Sequence, residues 1–122
     1  MVIFMYQRHE LGKTGENLAC IYLQKNYYEI IERNFKCKIG EIDIIAKDKN
    51  ELVFVEVKTR KSKEYGAPAD AVDNRKQKHI YKAANYYLYI KQIPDIYTRI
   101  DVIEVYLCKK TYYIHHIKQA MG

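Results

Sequence analysis

The sequence predicts an α/β domain: a central mixed five-stranded sheet flanked by helices, in the order α-β-β-β-α-β-β. Two segments carry apolar residues at helical spacing, and shorter runs rich in Ile, Val, Tyr and Phe follow each of them. Two of those runs, 39–46 and 52–59, alternate with period two across a short polar stretch, the signature of a β-hairpin. Strands therefore stand on both sides of the second helix, an order that implies a mixed sheet with helices packed against it.

Each element has a local reason. From about Glu10 to Lys25, the residues Leu11, Leu18, Ala19, Tyr22 and Leu23 recur at helical spacing. Tyr28 to Phe35 is rich in Ile, Tyr and Phe and reads as a strand. Ile39 to Ala46 and Leu52 to Thr59 form the hairpin, turning through Lys49-Asn50. Arg60 to Gly66 reads as a polar, basic loop. Asp73 is the expected N-cap of a helix running to about Lys91, with Ile80, Ala84, Tyr87 and Leu88 on one stripe. Pro94 closes that connection. Two last strands, about Tyr97 to Tyr106 and Thr111 to Ile117, meet at a turn of Lys109 and Lys110.

At 122 residues the chain is expected to be one domain, 1–122, with its core over about 10–117. Folding at this size hides roughly two-thirds of the extended chain's surface, enough for a core without disulfides or structural metal. A hydrophobic fraction of 48% argues against disorder. No apolar run approaches a bilayer span, and the first residues lack a basic leader and a small-residue cleavage site. The three cysteines form no Cys-x-x-Cys pair, which argues against a zinc ribbon or a disulfide framework. The expectation is a cytoplasmic protein with reduced thiols and no membrane partner. A net charge of +6 suits a polyanionic partner. Thirteen tyrosines without a tryptophan read as amphipathic packing, not as a stacking platform.

The hairpin carries the chemistry. Ile42, Ile44 and Ala46 are expected on one face of its first strand, with Glu41, Asp43 and Ile45 on the other. In the partner, Val53, Val55 and Val57 share one face while Leu52, Phe54, Glu56 and Lys58 share the other. Matching the aliphatic faces fixes the parity of the register, because a one-residue slip would bury charges against isoleucine. Ile44 then pairs with Val55, and Asp43 stands opposite Glu56. Facing residues have Cβ atoms roughly 4.5–5.5 Å apart, and two carboxylates at that distance repel. A cation relieves them, and hard oxygen ligands suit Mg²⁺ or Mn²⁺. Lys58, roughly 7 Å along the strand from Glu56, is placed to steady charge growing on a phosphate. Acids on a hairpin are commonly plain solvated surface. Two features argue otherwise here: Leu52-Val-Phe-Val is apolar on both faces, as an interior strand is, and the acids cluster at one end beside the basic loop.

Gly40-Glu-Ile-Asp43 followed by Phe54-Val-Glu-Val-Lys-Thr-Arg60 resembles the Asp…Glu-x-Lys signature of the restriction-endonuclease-like superfamily. Leu11-Gly12-x-x-Gly15-Glu16-x-x-Ala19, Arg33-Asn34, Pro68, Lys76 and Arg99-Ile-Asp-Val102 extend the likeness over roughly residues 10–117. Over that length the chain resembles the YraN family of predicted bacterial endonucleases, related to archaeal Holliday-junction resolvases. The resemblance implies a restriction-endonuclease-like sheet, Asp43 and Glu56 as metal ligands, and Lys58 as catalytic lysine. It also implies that Glu16 of the first helix joins the metal site, and that the protein is a homodimer as resolvases are. Gln77 and Tyr81 match a Gln-x-x-x-Tyr motif that supports the active site in some nucleases of the superfamily.

Glu16 also has a case from spacing, since Gly12, Ala19, Cys20 and Leu23 form a small, largely apolar stripe around it. Gly12 and Gly15 point to close packing of that helix on the sheet. Arg60, Lys61 and Lys63, with Arg75, Lys76 and Lys78, supply positive charge that would hold a phosphate backbone without reading sequence. The histidines, His9, His79, His115 and His116, show no metal-ligand spacing, and His115 and His116 alternate faces of one strand. The expected function is a Mg²⁺- or Mn²⁺-dependent endonuclease acting on nucleic acid, DNA ahead of RNA, including branched or structured DNA. The alternative is a catalytically silent nucleic-acid-binding module on the same fold.

Overall fold

The computed structural model describes residues 8–61 and 74–120. Its elements are α1 (Arg8–Lys25), β1 (Glu29–Lys36), β2 (Glu41–Asp48), β3 (Glu51–Lys61), α2 (Asn74–Ile90), β4 (Tyr97–Leu107) and β5 (Tyr112–Ile117). The strands lie side by side in chain order. Neighbours are antiparallel except β3 and β4, which run parallel over their full lengths because the crossover containing α2 returns the chain between them. This is the α/β order and mixed sheet that the sequence predicts. Among the described residues, no helix is long and apolar enough to cross a membrane.

Each helix covers one face of the sheet. Ala19, Cys20 and Leu23 of α1 pack on Ile44, Ala46, Val53, Val55, Ile103 and Val105. Ile80, Ala83, Ala84 and Tyr87 of α2 pack on Ile42, Ile45, Leu52, Phe54, Ile100 and Val102. β3 is the central strand, and it is buried without a break from Leu52 to Glu56. That two-sided burial is why Leu52-Val-Phe-Val does not alternate. β4 beside it is buried from Arg99 to Leu107.

The hairpin takes the register its aliphatic faces demand, with Ile44 opposite Val55 and Ala46 opposite Val53. Lys49 makes the turn at a left-handed φ of 55°. Ile42 departs from the expected pattern. It joins Ile45 on the α2 side, whereas Ile44 and Ala46 face α1. The reason is a bend: pairing with β3 ends at Ile44, and Asn34 in β1 adopts φ 53° between the Arg33–Ile44 and Phe35–Ile42 pairs. The entry to β2 therefore swings toward α2.

β3 is also longer than expected. Its pairing with β4 continues to Lys61 opposite Leu107, so Arg60 and Lys61 are strand residues and not part of a loop. Lys63, Pro68 and the expected cap Asp73 lie outside the described residues.

The double covering buries charge, and the buried charge is paired. Arg99 donates to both oxygens of Asp101 at 2.9 and 3.1 Å, to Tyr28 at 2.8 Å, and to Asp48 and Glu51 at 3.2 Å. His116 Nε2 donates to Asp101 Oδ2 at 2.7 Å while Nδ1 accepts the Tyr22 hydroxyl at 2.9 Å. Asp101 also accepts the Gln119 amide at 3.0 Å, which ties the end of the described chain to β4. Glu104, 1% exposed, accepts from Arg60 Nε at 2.7 Å and from His115 Nδ1 at 2.9 Å. Burial alone would raise both carboxyls. Their hydrogen bonds outweigh it, from His116, Arg99 and Gln119 for Asp101 and from Arg60 and His115 for Glu104, and hold both below the usual range.

Lowered carboxyls stabilise the fold above their unfolded-state values, and that contribution is lost as the pH falls through the ordinary carboxylate range toward their folded values. Urea midpoints of the protein are expected to drop steeply from about pH 5 downward. Glu104→Gln starts from a lower midpoint at neutral pH and shows a shallower acid slope. Equal slopes for the two proteins would show that Glu104 does not drive the acid transition.

Candidate active site

Two glycines set how closely the helices approach. A Cβ at Gly15 would overlap Thr59 Oγ1 and lie 3.1 Å from Thr59 Cβ, so the backbone of α1 rests on the C-terminal half of β3. This explains a residue that lowers helix stability by about 1 kcal/mol relative to alanine. It places Glu16, half-buried, at that end of β3. A Cβ at Gly40 would lie 3.4 Å from the Cβ and carbonyl oxygen of His79, so the first turns of α2 lie over the entry to β2.

Asp43 stands where β2 leaves β3. Its Oδ2 accepts the Val57 amide at 2.8 Å, so a side chain takes the place of a ladder carbonyl just past the last paired residues. Burial and the neighbouring charge of Glu56 raise its carboxyl to about 7, with smaller contributions from Glu16 and Glu41 and partial relief from the Val57 amide. Glu56 is 9% exposed, and its Oε1 lies 2.5 Å from the Lys76 ammonium of α2. Lys58, half-buried, follows two residues along β3 and stands next to Glu104 of β4. Glu16 turns to β1, where Arg33 lies 3.7 Å away and donates to Asn17 at 2.7 Å.

The structure thus brings Asp43 and Glu56 together, with Glu16 close enough for its charge to raise Asp43 while it also faces Arg33. Two hard carboxylates in a buried, repulsive pair fit Mg²⁺ or Mn²⁺, ions that take one or two acids and keep several waters. Among the described residues, no three His, Cys, Asp or Glu side chains converge as a fuller ligand set. Asp43 and Glu56 are the residues that would hold such an ion.

Residues 15–105, which contain all of these acids and Lys58, match the model of one protein family. The chain belongs to uncharacterised protein family UPF0102. It is 50% identical over 118 residues to a UPF0102 protein of Clostridium botulinum strain 657, covering 94% of this chain and 96% of that one. It is 47% identical over 100 residues to a UPF0102 protein of Caldicellulosiruptor saccharolyticus, covering 82% and 85% respectively.

The remaining expected residues of this UPF0102 chain divide. Gln77 is half-buried in the first turns of α2, on the stripe whose members Ile80 and Ala84 are buried, and Tyr81 packs against the α2-side core. Arg75, Lys78 and Lys61 are exposed, and Lys63 lies outside the described residues. Arg60 is held against Glu104 by the hydrogen bond already described, because β3 carries it past the expected loop and alongside β4. His115 and His116 do face opposite sides of β5, one meeting Glu104 and the other Asp101. Glu104, which stands beside Lys58, and Asp101, which holds Arg99 and His116, are not among the residues the sequence singles out for the site. The available signal was a pair of carboxylates inside the otherwise aliphatic run of β4.

Two stability measurements test this geometry. Gly15→Ala is expected to cost about 1–3 kcal/mol by forcing α1 off Thr59, read as a lower urea midpoint; an unchanged midpoint would mean that the helix yields freely. Asp43 has a raised carboxyl, so its ionisation destabilises the fold progressively from its ordinary value up to about pH 7. Asp43→Asn keeps an acceptor for Val57 and removes that charge. Without divalent ions it should melt about 2–6 °C above the parent near pH 8, with the gain shrinking toward pH 5. A gain independent of pH would contradict the assigned cause.

Proposed function

We propose that this UPF0102 protein is a Mg²⁺- or Mn²⁺-dependent endonuclease that hydrolyses phosphodiester bonds in DNA, branched or structured DNA included. The reading carries with it the restriction-endonuclease-like and YraN relationship that the sequence motifs suggest. One observation supports it above the others. Among the described residues, Asp101, Glu104 and Glu56 each face a cationic side chain, whereas Asp43 accepts from an uncharged amide and the charges that raise it are those of acids. A buried carboxylate so placed is balanced when a cation binds beside it.

On this reading Asp43 and Glu56 hold the ion, and the Val57 amide fixes the orientation of the Asp43 carboxylate. Bound there, the ion supplies Lewis acidity to the phosphodiester and lowers the pKa of a coordinated water. Lys58 stabilises the charge that grows on the phosphate oxygens in the transition state. Arg75, Lys78 and Lys61, all exposed, hold the flanking backbone.

A second reading, a nucleic-acid-binding module without turnover, has one observation in its favour. The ammonium of Lys76 already neutralises Glu56. A panel of labelled linear, flapped and four-way DNA substrates with Mn²⁺ separates the two. Cleavage is expected, with Glu56→Gln and Lys58→Ala each losing at least about 100-fold in rate. Cleavage that persists in Glu56→Gln would mark a contaminating nuclease. Salt-sensitive binding without cleavage would favour the silent module.

A further inference from the structure

Lys76 is the third residue of α2, and its side chain remains 47% exposed although its ammonium reaches the nearly buried Glu56. The stem therefore lies along the protein surface, and its head can exchange an internal carboxylate for an external anion. Its location is unusual. α2 has no acid in its first turn and begins Asn-Arg-Lys-Gln-Lys, so three cations crowd the end of a helix whose dipole favours anions. Glu56 answers that positive end from inside, and a phosphate would answer it from outside.

Resting on the proposed metal-dependent reading, we propose that Lys76 is a resident counter-ion that competes with the divalent cation for Glu56. The oxygen that Lys76 contacts is one of those available to the ion, and an ammonium beside that site repels a doubly charged cation. Free protein therefore binds the ion weakly. A DNA phosphate that draws Lys76 outward uncovers Glu56, and by linkage a bound ion strengthens DNA binding by the same factor. Metal loading and substrate loading become mutually dependent, and Lys76 couples them.

Calorimetric Mn²⁺ titrations of the full chain, without DNA, test the competition. Lys76→Gln is expected to tighten Mn²⁺ binding roughly three- to tenfold. Lys82→Gln, which removes the same charge from an exposed position further along α2, should change it less than about twofold. The titrations are then repeated with a short DNA duplex in a Lys58→Ala background, which suppresses cleavage. Duplex should tighten Mn²⁺ binding, and adding Lys76→Gln should shrink that gain. If the parent binds Mn²⁺ and Lys76→Gln binds it no more tightly than Lys82→Gln does, the counter-ion role is wrong while the metal site stands. If neither the parent nor Lys76→Gln binds Mn²⁺, the metal reading and the inference fall together.

Discussion

A sheet covered by a helix on each face leaves its inner strands little water with which to solvate a charge. β3 and β4 nevertheless carry Glu56, Arg60, Arg99, Asp101 and Glu104, all but Arg60 buried. The chain resolves this by pairing along β4, between β3 and β4, and from α2 to β3: Arg99 with Asp101, Arg60 with Glu104, Lys76 with Glu56. Even the two adjacent histidines of β5 are divided between the two acids of β4. Asp43 at the edge of this system departs from the rule, since its hydrogen bond comes from a neutral amide and the charges pressing on it are acidic. The proposed activity follows from that concentration of negative charge around Asp43. A fold optimised only for stability would place a lysine or an amide there, and the retained acid is a local conflict of the kind that functional sites keep.

Much of this arrangement was legible in the sequence because several patterns over-determined it. The hairpin parity was forced by two aliphatic faces, and with the two-residue turn at Lys49-Asn50 the opposition of Ile44 and Val55 followed. The central position of β3 showed in the failure of Leu52-Val-Phe-Val to alternate. Gly15 announced a close helix approach because nothing else explains a glycine inside a helix of this length.

What escaped the sequence was set by contacts between residues far apart in the chain. The displacement of Ile42 depends on a left-handed Asn34 in the neighbouring strand and on a carboxylate that replaces a ladder carbonyl, neither of which leaves a periodic signal. The length of β3 is decided by its parallel partner, formed only after α2 has returned the chain, so Arg60 looked like loop and became strand. The contact of Glu16 with Arg33 depends on the proximity of β1 to α1, a tertiary relation without a local sequence mark. Local patterns therefore located the acids. The partners of those acids, which decide their chemistry, were decided by topology.

The start of α2 shows how such partners alter the meaning of a rule. Read alone, Arg75, Lys76 and Lys78 are badly placed, since cations at a helix N-terminus are disfavoured by a few tenths to about 1 kcal/mol each. The close contact at Gly40 changes the calculation, because it brings that helix end over the entry to β2 and within reach of Glu56. The unfavourable dipole interaction is then offset by the ion pair with a buried carboxylate. What the helix loses in isolation the ion pair recovers, and on the proposed reading a lysine that violates helix preference becomes the residue through which the acids sense an anion arriving from outside. On the proposed reading, the same positive helix end serves two anions in turn, one belonging to the protein and one to its substrate.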